Sequence, residues 1–119
     1  MLRTDKPELR NVTGISDEET NLIKAFMQGA VYSWIKSHPD GWFAVRDLVG
    51  GENWDWAGTP LYALFEKHKK DGKSNDEAFD VAAQDLGWLV KTALSEDKRT
   101  FESRESGLVR NYHWVGNEP

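Results

Sequence analysis

Residues 74–115, SNDEAFDVAAQDLGWLVKTALSEDKRTFESRESGLVRNYHWV, decide the fold, because a long helical pattern there runs directly into a charged hairpin pattern. Ser74 followed by Glu77 has the spacing of a capping box, in which hydroxyl and carboxylate each accept a backbone N–H left unpaired at a helix start. Phe79, Ala82, Ala83, Leu86, Leu89, Val90, Ala93 and Leu94 recur at three- and four-residue spacing, so this helix presents one apolar face and should reach about Ser95. Gly87 within it costs roughly 1 kcal/mol against alanine, which points to close approach by another element. Beyond Glu96-Asp97-Lys98-Arg99, residues 100–104 and 108–115 flank Glu105-Ser106-Gly107, a connection suited to a hairpin with glycine at positive φ. Alternation puts Leu108, Arg110, Tyr112 and Trp114 on one face.

Upstream, Thr59-Pro60 offers a hydroxyl N-cap and a proline at the first helical position. Leu61, Leu64, Phe65 and His68 share a face of the helix that follows. Lys67, Lys69 and Lys70 load its last turn, favourable for the helix dipole, and Asp71-Gly72 ends it. Trp42-Phe43-Ala44-Val45 reads as a short strand, followed by one helical turn through Val49 that Gly50-Gly51 closes. Earlier still, Ser16 and Glu19 form another capping box. Leu22, Ile23, Phe26, Met27, Ala30, Val31, Trp34 and Ile35 then make a broad apolar face, and His38-Pro39-Asp40-Gly41 stops the helix after about Ser37. Residues 1–15 show neither helical nor strand periodicity and read as a flexible N-terminal arm, leaving residues 16–119 as one domain.

The composition agrees with a single core. A chain of 119 residues, 39% apolar and 29% charged, has globular proportions and is too short for two independent cores. No stretch approaches the roughly 18 apolar residues of a membrane span, and the first residues have no signal-peptide pattern, so a cytoplasmic protein without membrane contact is expected. With no cysteine there is neither a disulfide framework nor a thiolate metal site. The net charge of -5 counts against nucleic acid as the partner, although an acidic protein can still carry a basic face.

The order of long helix, short strand, short helix, helix, long helix and hairpin resembles a winged helix-turn-helix domain, and the expected class is mainly α (α+β). The resemblance lies in Trp42 to Val49 as first strand and second helix, Asp76 to Ser95 as the helix before the wing, and Phe101 to Val115 as the wing. Another small helical bundle carrying a hairpin is the alternative. In the family a short turn separates the second and third helices, whereas residues 50–75 intervene here and contain a helix of their own. The resemblance implies that the start of the last helix enters the major groove while the wing follows a phosphate backbone. Asp76, Glu77, Asp80 and Asp85 make that helix start a poor reader of DNA.

Two sets of residues are candidates for binding. Of six tryptophans, Trp34, Trp42, Trp88 and Trp114 lie in periodic segments and are expected to fill the core. Trp54, Asp55 and Trp56 lie in a glycine-flanked loop, where the indoles either anchor a partner or fold back over the core edge with Asp55 outward. Lys91, Lys98, Arg99, Arg104 and Arg110 gather toward the hairpin and, with Tyr112, would be the nucleic-acid contacts of the alternative reading. The competing explanation is a solvated face with cross-strand ion pairs, and a strand face packed on the preceding helix. His38, His68 and His113 show no metal-ligand spacing, and no nucleophile-elbow or phosphate-loop motif is present. The expectation is a non-catalytic binding or regulatory module, with no metal or cofactor, that meets a protein partner or a second copy of itself. A double-stranded-DNA-binding regulator is the alternative, and a small enzyme or ligand sensor with a pocket under the tryptophan loop is more distant.

Overall fold

The computed structural model describes residues 1–3, 8–49, 55–106 and 109–115. Helix α1 spans Asp17–Ser37, α2 Val45–Leu48, α3 Tyr62–Lys70 and α4 Asn75–Glu96, and strands β1 Phe101–Ser106 and β2 Val109–Trp114 follow. The class is α+β, with helices followed by an antiparallel two-stranded hairpin, as the sequence indicates.

Local chemistry sets most of these boundaries. The Ser16 hydroxyl accepts from Glu19 N at 3.0 Å and the Glu19 carboxylate accepts from Ser16 N at 2.9 Å, so the box that starts α1 is closed in both directions. At α4 only the forward half forms, Glu77 N donating to the Ser74 hydroxyl at 3.2 Å. Helix α3 begins later than the Thr59-Pro60 signal suggests. Thr59 instead builds a lead-in turn, donating its hydroxyl to Trp56 O at 2.8 Å and accepting from Leu61 N at 3.2 Å. Gly72, at φ +87°, turns the chain between α3 and α4. The hairpin is longer than the pattern implies: Glu105 pairs with Arg110 and Ser106 with Val109, so two expected loop residues belong to β1. Gly107 and Leu108, like Gly50 and Gly51, lie outside the described residues.

The core forms where α1 and α4 face each other and the hairpin closes one end. Ile23, Met27, Val31 and Ile35 of α1, Leu86, Leu89, Val90 and Leu94 of α4, and Leu61 and Leu64 before and within α3 are all buried. Leu22 departs from the expected apolar face and is 53% exposed, and Ala83 of α4 is exposed while Ala78 is buried. Two single bridges widen the sheet. Phe43 pairs antiparallel with Tyr112, and Leu2 pairs in parallel with Phe101, giving the lateral order Phe43, β2, β1, Leu2. Phe43 meets Tyr112 in a tilted contact and Phe101 edge-on at this junction, with centroids 5.9 and 6.4 Å away. The first residues thus dock: Leu2 is buried, and Arg3 N donates to Phe101 O at 2.7 Å. The expectation of close approach at Gly87 is not met, since a Cβ there meets nothing within 4 Å.

Candidate functional site

The loop before α3 folds back over the domain, which decides the surface that the tryptophan motif makes. Trp56 is buried, its ring 4.9 Å from that of Phe79 at the start of α4, and Asp55 is exposed with its carboxylate accepting from Ala57 N at 2.9 Å. Of the two readings open for this motif, Trp56 and Asp55 follow the folded-back one, and Trp54 lies outside the described residues. The ring network continues outward. Phe79 is 6.1 Å from Phe65, and Phe65 is 5.4 Å from Tyr62 on the same helix.

These four rings line an open cleft of about 680 Å³ between residues 55–57, α3 and the start of α4. Tyr62, Phe65 and Phe79 are half-buried, because they sit at the edge of helical faces whose centres are Leu61, Leu64 and Ala82. The rim carries charges of both signs: Asp55 and Glu66 beside Lys69 and Lys70. Lys69 is spoken for in part, donating to Lys73 O at 3.2 Å in the turn after α3. Sequence periodicity placed Phe65 and Phe79 on core faces. It carries no signal that both stop half-way out and share a concavity with a ring from the loop.

The basic residues near the hairpin do not form one surface. Arg104 and Arg110 leave the sheet on opposite faces, as their register positions opposite Asn111 and Glu105 require. Arg104 lies over Trp42 at 4.0 Å, and Arg99 lies over Tyr32 of α1 at 4.2 Å. Arg110 donates to Glu105 at 2.8 Å and to Ser103 at 3.1 Å, whereas Lys98 is exposed. Tyr112 is a correction to the nucleic-acid set. It is 2% exposed, and burial pushes its hydroxyl up to about 12 against the opposing pull of Arg110, so its ring belongs to the core and cannot stack on a base.

The tryptophans expected in the core divide. Trp34 and Trp114 pack against it, whereas Trp42 and Trp88 lie half-buried outside it under charged side chains. Trp42 stacks on His113 at 5.1 Å, and that imidazole has its Nδ1 3.0 Å from Glu102.

A polar cluster without a signal in the residue pattern lies across α3 and α4. His68 is buried, with Nε2 2.7 Å from Asp85 Oδ2, and Lys67 Nζ lies 2.8 Å from the same oxygen. Lys67 also donates to Thr13 O, so residues 11–15 are tied down over this cluster beside a polar hollow of about 530 Å³. His68 Nδ1 is buried with no hydrogen-bond partner among the described residues. One carboxylate shared by a histidine and a lysine is an arrangement for joining two helices and a strap. Among the described residues, no three His, Asp or Glu side chains converge as a metal site, and no helix is long and apolar enough to cross a membrane. The chain matches no family model, and no curated protein or solved structure is significantly similar to it.

Proposed function

We propose that this chain is a non-catalytic binding module of winged-helix-like layout, acting through protein–protein contact, with the aromatic cleft as its docking surface. Three features support the layout: the element order, the Phe43–Tyr112 bridge that sets a third strand position beside the hairpin, and the short turn from α3 to α4. On this reading α3 and α4, rather than α2 and α4, are the pair joined by a turn.

The observation that carries the function is the cleft. Half-exposed aromatic rings gathered in one concavity gain from being covered by an apolar partner side chain, and a rim of mixed charge suits a protein better than a polyanion. Duplex DNA is the weaker reading. Asp76, Glu77 and Asp80 are exposed at the start of α4, where a reading helix would meet phosphates, and Tyr112 is withdrawn into the core.

A photo-crosslinking residue at position 65, introduced in cells, tests the proposal, with sedimentation velocity of the purified chain separating self-association from a foreign partner. A discrete adduct that is lost on Tyr62→Ala and kept on Arg104→Ala is the expected result. No discrete adduct, together with salt-sensitive binding to mixed duplex DNA, would overturn it.

A further inference from the structure

Residues 11–15 lie over the polar hollow beside α3 and Asp85 of α4, and a short chain of contacts holds them there. Val12 and Ile15 are only half-buried against the core, while Asn11, Thr13 and Gly14 are exposed. Among the described residues, the side-chain anchor is Lys67, which donates to Thr13 O and lies 2.8 Å from Asp85 Oδ2. The chain passes so close to this lysine that a Cβ on Gly14, at φ +84°, would sit 3.0 Å from Lys67 Cδ. His68 Nε2 lies 2.7 Å from the same Asp85 oxygen, so the anchor and the histidine share one acceptor. With so little apolar burial, residues 11–15 belong to the part of a fold that opens first.

The histidine gives this anchor a second state. His68 is 7% exposed, and its Nδ1 is buried with no hydrogen-bond partner among the described residues. In the neutral ring the proton sits on Nε2, facing the carboxylate, and Nδ1 is an acceptor without a donor. A second proton turns Nδ1 into a buried donor with nothing to receive it, and sets an imidazolium beside the Lys67 ammonium on one oxygen. One carboxylate balances one cation, not two. The other charged groups round the hollow do not take its place. Glu19 of α1 already accepts from Ser16 N, and Glu66, Lys70 and Asp71 of α3 are exposed. From this geometry we propose that residues 11–15 are a proton-sensitive strap: protonation of His68 displaces Lys67 from Asp85, frees Thr13 and opens the hollow to water. Once the strap lifts, water reaches Nδ1 and the lysine, and the imidazolium keeps Asp85 to itself. The released form therefore binds the proton more readily than the docked form, and release grows as pH falls. Imidazole is the side chain whose charge ordinarily changes between about pH 5 and 8, so the strap is docked at neutral pH and released in mild acid. The device does not depend on the protein-docking reading of the cleft.

The test is nuclear magnetic resonance of the full chain between about pH 7.5 and 5. Amide exchange of residues 12–15, corrected for its intrinsic dependence on pH, reads the strap, and the His68 ring signals are followed in the same samples. Strap protection should fall about tenfold, the effect of one buried unpaired donor, and its midpoint should coincide with that of the His68 ring. Amides at the centres of α1 and α4 should keep their protection. His68→Gln, neutral throughout and still able to donate to Asp85, should hold strap protection level across the range. His113→Gln, on the hairpin, should leave the transition as in the parent. Flat protection in the parent, a strap midpoint apart from that of His68, or the same fall in His68→Gln would overturn the proposal. The midpoints are compared within the parent protein, so they decide the matter even where His68→Gln is too unstable to measure.

Discussion

Asp97 shows how much a single side chain can join. It caps α4, and its carboxylate accepts from Gln28 Nε2 and Tyr32 Oη of α1, each at 2.9 Å, and from the Arg99 backbone N–H at 2.8 Å. A carboxylate at a helix C-terminus faces the unfavourable end of the dipole, so these donors must offset that cost. Burial pushes the carboxyl up, but the bonds from Arg99, Gln28 and Tyr32 hold it below its ordinary value. The folded form therefore binds its proton less readily than the unfolded form. Its contribution is complete above the unfolded value near 4 and is lost as pH falls through the lower folded value. Asp97→Asn should lower stability by about 2 kcal/mol at neutral pH, read from urea unfolding, and the gap from the parent should narrow at about pH 3. A gap that persists unchanged in acid would mean that the carboxylate charge is not what matters. The sequence places Asp97 in a charged connector and gives no sign of this role, because its α1 partners lie 65 and 69 residues away. His68 and Asp85 are hidden for the same reason: periodicity assigns a residue to a face but does not say which face it meets.

Elements were more legible than residues, since caps and periodicity are local. Ser16, Glu19, Ser74 and Gly72 mark helix ends in the sequence and act there in the structure. Helix α3 starts later than its Thr-Pro pair suggests because such a pair can serve a lead-in turn as well as the helix itself. Two glycines separate the local effects cleanly. Gly72 has open space around a would-be Cβ but sits at φ +87°, so Gly72→Ala should cost roughly 1–2 kcal/mol through backbone strain alone. Gly87 has the same open space in ordinary helical backbone, so Gly87→Ala should stabilise by about 0.5–1 kcal/mol. Urea midpoints of the two variants should therefore move in opposite directions around the parent. Movement in the same direction would show that a neighbour, rather than backbone conformation, governs one of these sites.

The hairpin is held to the helices by contacts that are remote in sequence, and this is the scale at which the reading from sequence was least complete. Residues 1–15 resembled an arm because a lone bridge has no period to display, yet Leu2 is buried against Phe101, and Phe43 completes the other edge of the same sheet. The aromatic junction of Phe43, Phe101 and Tyr112 is continuous with the α1–α4 core, so the base of the hairpin cannot separate without exposing it. Unfolding should accordingly be one cooperative transition, with far-ultraviolet circular dichroism and tryptophan fluorescence tracing the same curve. Phe101→Ala removes a fully buried ring of this junction and should cost about 3–5 kcal/mol, while Leu2→Ala at its edge should cost roughly 2–3 kcal/mol. Both variants should still unfold in a single step. If Leu2→Ala instead left the midpoint unchanged, or the fluorescence curve ran ahead of the dichroism, the docking of the first residues would not be part of the cooperative fold, and they would act as the free arm that their sequence resembles.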